Sequence, residues 1–389
     1  MITLLFIYPT PFNPQIGGVE RVTDLLARKF IDCGYRVLYL HHIYIDSLRD
    51  YDYPAPLYFF PNSDYKSQEN VTFYHNFLRE NNVDFIINQC GLFEDSTLYL
   101  NIGEHRCKTI SVIHFNPMLN YEHLSSEELV LKDSSFKGLL KLVARLIFYP
   151  KIKSSYLSER RKQYDFLFRT SDVICFLSKT HLWGLKKYYK NYNQGKVISI
   201  SNPTSFKPQK CEKKKQLLYV GRLDKGQKRP DRLLKIWRKL YKKFPDWEMV
   251  VVGDGKERLR LEKIAKNLER ISFVGFQSPE TYYRDASIFC MTSNFEGFPM
   301  VLSEAMAFGT IPFAFDSFLA VHDIIDDGKT GVLVKPFSIR EYAQKLELLM
   351  SDEEKIIQMS EKCVQSANRF NIDDIVSKWI SLFDSLSNN

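Results

Sequence analysis

Glu296 and Glu304 stand with seven residues between them, in Glu296-Gly-Phe-Pro-Met-Val-Leu-Ser-Glu304. The stretch runs on through Ala-Met-Ala-Phe to Gly309. Pro299 suits the opening of a helix, where a missing N–H costs nothing, and Gly309 suits its end, where a residue tolerant of positive φ is wanted. Between them nearly every residue is apolar or small, so Glu304 is a carboxylate on a helix that should be buried. A buried charge is costly unless it is paired or hydrogen-bonded. Glu296 lies just before the helix, over its positive end. Two chemistries fit. The acids can be hydroxyl acceptors on a pocket floor, with the helix end for an anion. Or the helix is core, with one capping acid and one solvated acid.

Other residues could serve such a pocket. Gly17-Gly18-Val19-Glu20 opens a helix, and paired glycines let a phosphate or sugar approach backbone N–H groups. His114 falls at the end of the strand Thr-Ile-Ser-Val-Ile-His, where open α/β sheets bind ligands. Gly221-Arg-Leu-Asp-Lys-Gly-Gln-Lys-Arg229 is a basic turn after a strand. In it Arg222 and Lys228 could clamp a diphosphate, Arg by its fork and Lys as a point charge. Each has a plainer reading: a tight turn, a structural histidine, a solvated basic loop.

The elements that must position these residues alternate. Strands are expected at 2–8, 36–40, 85–88, 109–114, 173–178 and 196–201 in the first half. The second half should hold strands at 217–220, 248–252, 271–274, 288–291, 311–315 and 331–334. Helical spacing at 19–30, 73–81, 158–170, 231–241, 257–267, 282–286, 339–351 and 372–386 fills the gaps. Strand, glycine turn, helix, strand is a βαβ unit. The polar run 204–214 has no apolar period and reads as a linker, so two α/β domains follow. A chain of 389 residues is also too long for one ordinary core. With 44% hydrophobic and 26% charged residues it has the composition of a soluble globular protein. The net charge of +8 permits anionic partners without choosing among them. Seven cysteines include no C-x-x-C pair, which argues against a zinc site or disulfide framework and for a reducing cytosol. Met1–Tyr8 lacks the basic start of a signal peptide, and no apolar run approaches the ~18 residues of a membrane span. Residues 136–153 carry five basic side chains and no acid. Lys137, Lys141 and Arg145 recur on one side of a helix, which suits either a membrane interface or a surface helix with snorkelling side chains.

Taken in order, these motifs resemble the family 4 retaining glycosyltransferases over nearly the whole chain. The resemblance rests on Gly17-Gly18-Val19-Glu20, His114, Gly221-Arg222-Leu223 with Lys228, Gly253-Asp254-Gly255, Gly275-Phe276, and Glu296 with Glu304. It implies the GT-B fold: two Rossmann-like, doubly wound α/β domains facing across a cleft, with a C-terminal helix crossing back to the first. The implied limits are 1–203, 204–369 and 370–389, with a hinge near 203 and 369. It implies a nucleotide-sugar donor, a UDP-sugar, and no metal or other cofactor. Gly17 and Gly18 would meet the donor phosphate, and Arg222 and Lys228 would neutralise the diphosphate. Glu304 would bind the ribose and Glu296 the donor sugar. Amides of Phe298, Met300 and Val301 would face phosphate and sugar, the Phe276 region would hold the base, and His114 would contact the transferred sugar. The acceptor would be a glycan or a lipid-linked sugar in bacterial capsule or lipopolysaccharide assembly. The setting would be cytoplasmic, with peripheral contact on the cytosolic face of the inner membrane, and nucleic acid is not an implied partner. A sugar-nucleotide epimerase of the same fold and a non-catalytic binding subunit are the rival expectations. Two departures stand out. Arg222 and Lys228 are six positions apart where the family usually has five, with Lys225 also near, and Pro299 stands where many relatives have glycine. Asp50-Tyr51-Asp52 fits an acidic metal-binding pattern of another fold but reads here as a solvated turn beside prolines.

Overall fold

The computed structural model describes residues 1–48, 50–118, 136–190 and 192–388, except the side chains at 136–139, 141 and 144. The chain forms two compact units, Met1–Ile200 with Leu382–Asn389, and Ser201–Ser381. The terminal helix Ile372–Ser387 is therefore shared, passing from unit 2 to unit 1 at Leu382.

Unit 1 is a seven-stranded parallel sheet: β1 Thr3–Ile7, β2 Arg36–His41, β3 Leu57–Phe59, β4 Phe85–Asn88, β5 Lys108–Ile113, β6 Val173–Phe176 and β7 Val197–Ser199. Their order is β3-β2-β1-β4-β5-β6-β7. β1, β4 and β6 are buried at every residue, as befits parallel strands covered on both faces. Phe383 of the terminal helix is wholly buried, its ring packed at 5.6 Å from Phe30 and 4.7 Å from Phe85.

Unit 2 has six parallel strands: β8 Lys214–Val220, β9 Glu248–Val252, β10 Ile271–Gly275, β11 Ala286–Met291, β12 Ile311–Phe315 and β13 Val332–Val334. The order is β10-β9-β8-β11-β12-β13. Each sheet thus reverses direction beside its first strand, between β1 and β4 and between β8 and β11. Such reversals are where doubly wound sheets open a crevice for ligands.

Several expectations need correction. The run 204–214 is not a free linker. The Thr204 and Gln209 amides donate to Phe370 and Ala307 carbonyls, both at 2.8 Å, and the Phe206 ring lies 5.0 Å from Phe308. One aromatic anchor overrides a polar run. The helices expected at 136–153 and from Ser158 are one, Phe136–Thr170, which carries Pro150 inside it and forgoes one hydrogen bond there. β3 and the helices Lys179–Tyr188 and Glu353–Ala367 were not anticipated. The last buries only Ile356, Met359, Cys363 and Ala367, a thin stripe in a polar sequence. Among the described residues no helix is long and apolar enough to cross a membrane.

Candidate active site

The two loops that leave the carboxyl ends of β8 and β11 are stitched together. The Asn294 amide donates to the Gln227 carbonyl at 2.7 Å, and Asn294 Nδ2 to the Gly226 carbonyl at 2.5 Å. Within the first loop, Asp224 Oδ1 accepts the N–H groups of Gln227 (2.6 Å) and Lys228 (3.2 Å), which folds the turn. The fold turns Lys228 inward. Its Nζ lies 2.7 Å from Glu296 Oε1, while Gln227 Nε2 donates to Oε2 at 3.0 Å. Glu296 is only 6% exposed and Lys228 21%. Arg222 is different: 64% exposed, held by Asp224 at 3.0 Å and Gln227 at 3.3 Å. Lys225 is exposed on the turn, so Lys228 is the lysine that reaches the acid. Arg229 closes the loop with φ of 52°, a left-handed conformation disfavoured for a residue with Cβ, and pairs with Asp231 at 2.8 Å.

The helix Met300–Ala307 follows directly. Pro299 is its N-cap rather than its first helical residue, and Gly309 takes φ of 74° just beyond its end. Phe298 and Met300 are buried, and the Phe298 ring is braced against Phe370 at 5.8 Å. The first N–H groups of a helix, here around Met300 and Val301, have no partner within it and carry the positive end of its dipole. Glu304 is fully buried, as expected of a carboxylate on this helix. Tyr283 OH donates to its Oε2 at 3.1 Å, and Ser205 Oγ stands 3.5 Å from Oε1. Gln227, Tyr283 and Ser205 escaped the sequence reading. Gln227 was visible within the basic turn, but neither of the others lies in a recognisable pattern.

Gly253-Asp254-Gly255 turns out to be architectural. Gly253 has φ of 132°, and a Cβ there would collide with the Gly221 carbonyl oxygen. The motif lets the β9 loop nest against the β8 loop that carries Arg222. At the end of β10, Phe276 is 73% exposed.

In unit 1, Gly17 is the N-cap of the helix Gly18–Asp32, and Gly18 is exposed with open space where a Cβ would be. Glu20 folds its carboxylate back over Gly17, where a Cβ would come within 2.7 Å of Oε2, and burial raises its pKa. An acid therefore already faces this helix end. His114 follows β5, and its Nε2 is 2.6 Å from Oε1 of Gln89, which follows β4. The Gln89 amide donates to the Ile7 carbonyl of β1 at 3.1 Å, so His114 is tied to the β1/β4 reversal. Gln89 was also missed, since nothing in its local sequence singles it out.

Burial lowers the His114 pKa to about 4, so the ring is neutral at pH 7. With Gln89 Oε1 accepting, the proton sits on Nε2. Burial likewise lowers His41 on β2 to about 3. In the unfolded chain both titrate near 6.5, so below that pH the unfolded state binds protons the folded state refuses. Stability present above pH ~6.5 should therefore fall as pH drops toward ~4, by about 1.4 kcal/mol per pH unit for each histidine. Urea unfolding at pH 7 and pH 5 checks this: the loss between them should shrink in His114→Gln.

The structure thus brings Arg222, Lys228 and Glu296 into one cluster at the β8/β11 reversal, with Met300, Val301 and Glu304 on the helix that follows. Gly17, Gly18 and His114 share the equivalent edge of unit 1. Fixed cations beside a helix N-terminus can stabilise a developing anion, and carboxylates beside them can accept hydroxyl protons.

Known proteins resemble this chain in sequence and in fold. Residues 201–369 match the family model described as glycosyl transferases group 1. An uncharacterized glycosyltransferase of Haemophilus influenzae is 35% identical over 218 residues, spanning 54% of this chain and 60% of the relative. The Campylobacter jejuni GalNAc-α-(1→4)-GalNAc-α-(1→3)-diNAcBac-PP-undecaprenol α-1,4-N-acetyl-D-galactosaminyltransferase is 29% identical over 250 residues, spanning 61% of this chain and 69% of that protein. Among solved structures, Anabaena HepE in complex with UDP superposes with a TM-score of 0.74 at 16% identity, covering 99% of this chain and 100% of HepE. The second half of the chain is thus similar to the glycosyl transferases group 1 family, and the chain has the GT-B fold.

Proposed function

We propose that the chain is a retaining glycosyltransferase of family 4 type that moves a sugar from a nucleotide donor, a UDP-sugar, to a glycan or lipid-linked acceptor in surface polysaccharide assembly. The observation that carries this reading is the Lys228–Gln227–Glu296 cluster at the β8/β11 reversal, followed at once by a helix N-terminus and the buried Glu304. HepE, of the same fold, was crystallised with UDP, and the Campylobacter relative is named for an undecaprenol-linked acceptor.

In this reading Glu304 accepts the ribose hydroxyls and Glu296 the hydroxyls of the donor sugar. Arg222, Lys228 and the amides of Phe298, Met300 and Val301 take the diphosphate and sugar, Gly17 and Gly18 offer backbone to the phosphate, and the Phe276 loop holds the base. His114, neutral, contacts the transferred sugar by a hydrogen bond. The bond from anomeric carbon to phosphate breaks, and the acceptor oxygen bonds that carbon on the same face. The acceptor proton passes to the leaving phosphate. Developing charge on that phosphate is met by the two cations and the helix end, an arrangement that needs no metal or other cofactor. The reaction runs at the cytosolic face of the membrane. Contact there is made through residues 136–153, where Leu140, Val143, Leu146, Ile147 and Phe148 are exposed. The side chains of Lys137 and Lys141 lie outside the described residues. Co-sedimentation with anionic liposomes that is unchanged in Lys137→Glu/Lys141→Glu/Arg145→Glu would remove the membrane contact from the reading.

The division of labour between the two acids is directly testable. Glu296→Gln should lower UDP-sugar turnover by about 10–100-fold, the worth of a charged hydrogen bond. UDP itself should bind as before or tighter, because Lys228 is released to the phosphate. Glu304→Gln should instead weaken UDP. Titration calorimetry with UDP and an assay of UDP release with lipid extracts separate the two. Full turnover in Glu296→Gln would overturn the assignment. Free sugar or an epimer formed without acceptor would show an epimerase instead.

A further inference from the structure

A cavity of about 350 Å³ opens in unit 1, lined by Pro11, Tyr44, Ile45, Leu48, Leu57 and Phe59. Its walls come from the loops after β1 and β2 and from the edge strand β3. The volume is that of a small-ligand pocket. Its chemistry is one-sided. Among the described lining residues the sole polar side-chain atom is the Tyr44 hydroxyl, 3.4 Å from Asp46 Oδ1. A sugar ring needs donors and acceptors matched to its hydroxyls, and a phosphate needs cations; the described lining residues supply neither. The aromatic wall is braced. The Tyr44 ring meets Phe59 edge-on at 5.3 Å, and Phe59 lies 5.9 Å from the ring of His41, which is fully buried. A preformed apolar site of this kind gains from each methylene it takes out of water. Pro11 also belongs to the loop that leads from β1 to Gly17.

We propose that this cavity takes a hydrocarbon chain, the lipid segment of a lipid-linked acceptor. The inference rests on the glycosyltransferase reading and narrows its acceptor class. Calorimetric titration of the full chain with farnesyl phosphate and with dimethylallyl phosphate, both below micellar concentrations, tests it. The two ligands share the phosphate and differ in hydrocarbon length. Farnesyl phosphate should bind at least about tenfold more tightly. That advantage should vanish in Ile45→Trp, which fills the cavity, and in Leu48→Glu, which charges its wall; the second keeps the test alive if the first fails to fold. UDP binding, measured in the same variants, should be unchanged. Equal affinity for the two phosphates, or a farnesyl preference that survives both substitutions, would overturn the lipid site while leaving the nucleotide reading intact. Loss of UDP binding by the unaltered chain would instead sink the transferase reading. Self-association of the chain that Leu48→Glu abolishes would assign the cavity to a second copy and also overturn the proposal.

Discussion

Lys228→Ala is expected to lower kcat/KM for the nucleotide sugar by about 10²–10³-fold. Two losses combine. In the proposed site the diphosphate loses a charge-assisted hydrogen bond, worth about 1.5–3 kcal/mol. Glu296, only 6% exposed and bonded at 2.7 Å to Lys228, keeps Gln227 alone. A nearly buried carboxylate stripped of its cation is costly, and it now faces an arriving dianion. The two losses are coupled, so a double variant discriminates. Lys228→Ala/Glu296→Gln removes the repulsion along with the cation, and its donor affinity should exceed that of Lys228→Ala by about tenfold. If the double variant binds donor no better than the single one, the pair is not acting as a unit.

The second large effect is expected at Glu304. Glu304→Ala should weaken UDP by at least about 100-fold, because in the proposed site two ribose hydroxyls lose a charged acceptor in a fully buried setting. It should also cost about 1–3 kcal/mol of stability, since the Tyr283 hydroxyl, 3.1 Å from Oε2, loses this acceptor. Calorimetry with UDP and urea unfolding of the ligand-free chain read the two effects separately. Glu304→Gln, which keeps the shape, should fall between the two for UDP and remain close to the parent in stability.

The legible parts of this protein are those where one local rule suffices. Buried parallel strands announce themselves as short apolar runs, and the helix Met300–Ala307 is marked by Pro299 before it and Gly309 after it. Glu304 could be placed in the core because its neighbours are apolar on all sides. What the sequence concealed depends on contacts between distant segments. Lys228 and Glu296 could each be proposed as ligand contacts, yet nothing in either motif says that they pair with each other. That pairing arises because β8 and β11 become neighbours at the sheet reversal. Gln89 and Tyr283 are ordinary residues in their local settings, and they matter only because the fold sets one against His114 and the other against Glu304. The stretch 204–214 shows the opposite error. Its polarity suggests a linker, but Phe206 and two backbone hydrogen bonds dock it onto unit 2. Gly253-Asp254-Gly255 resembles a functional loop and proves to be a packing requirement between two backbones.

The central claim is that the cluster around Lys228, Glu296 and Glu304 is a nucleotide-sugar site. Thermal unfolding of the full chain against a panel of nucleotides and nucleotide sugars tests it most directly. At a hundredfold excess over Kd a ligand adds about 2.7 kcal/mol, which for a domain of this size is a rise of about 5–10 °C in Tm. Such a rise is expected with UDP or UDP-sugars and should be absent in Glu304→Ala. No response to any nucleotide, or an equal response in Glu304→Ala, would contradict it.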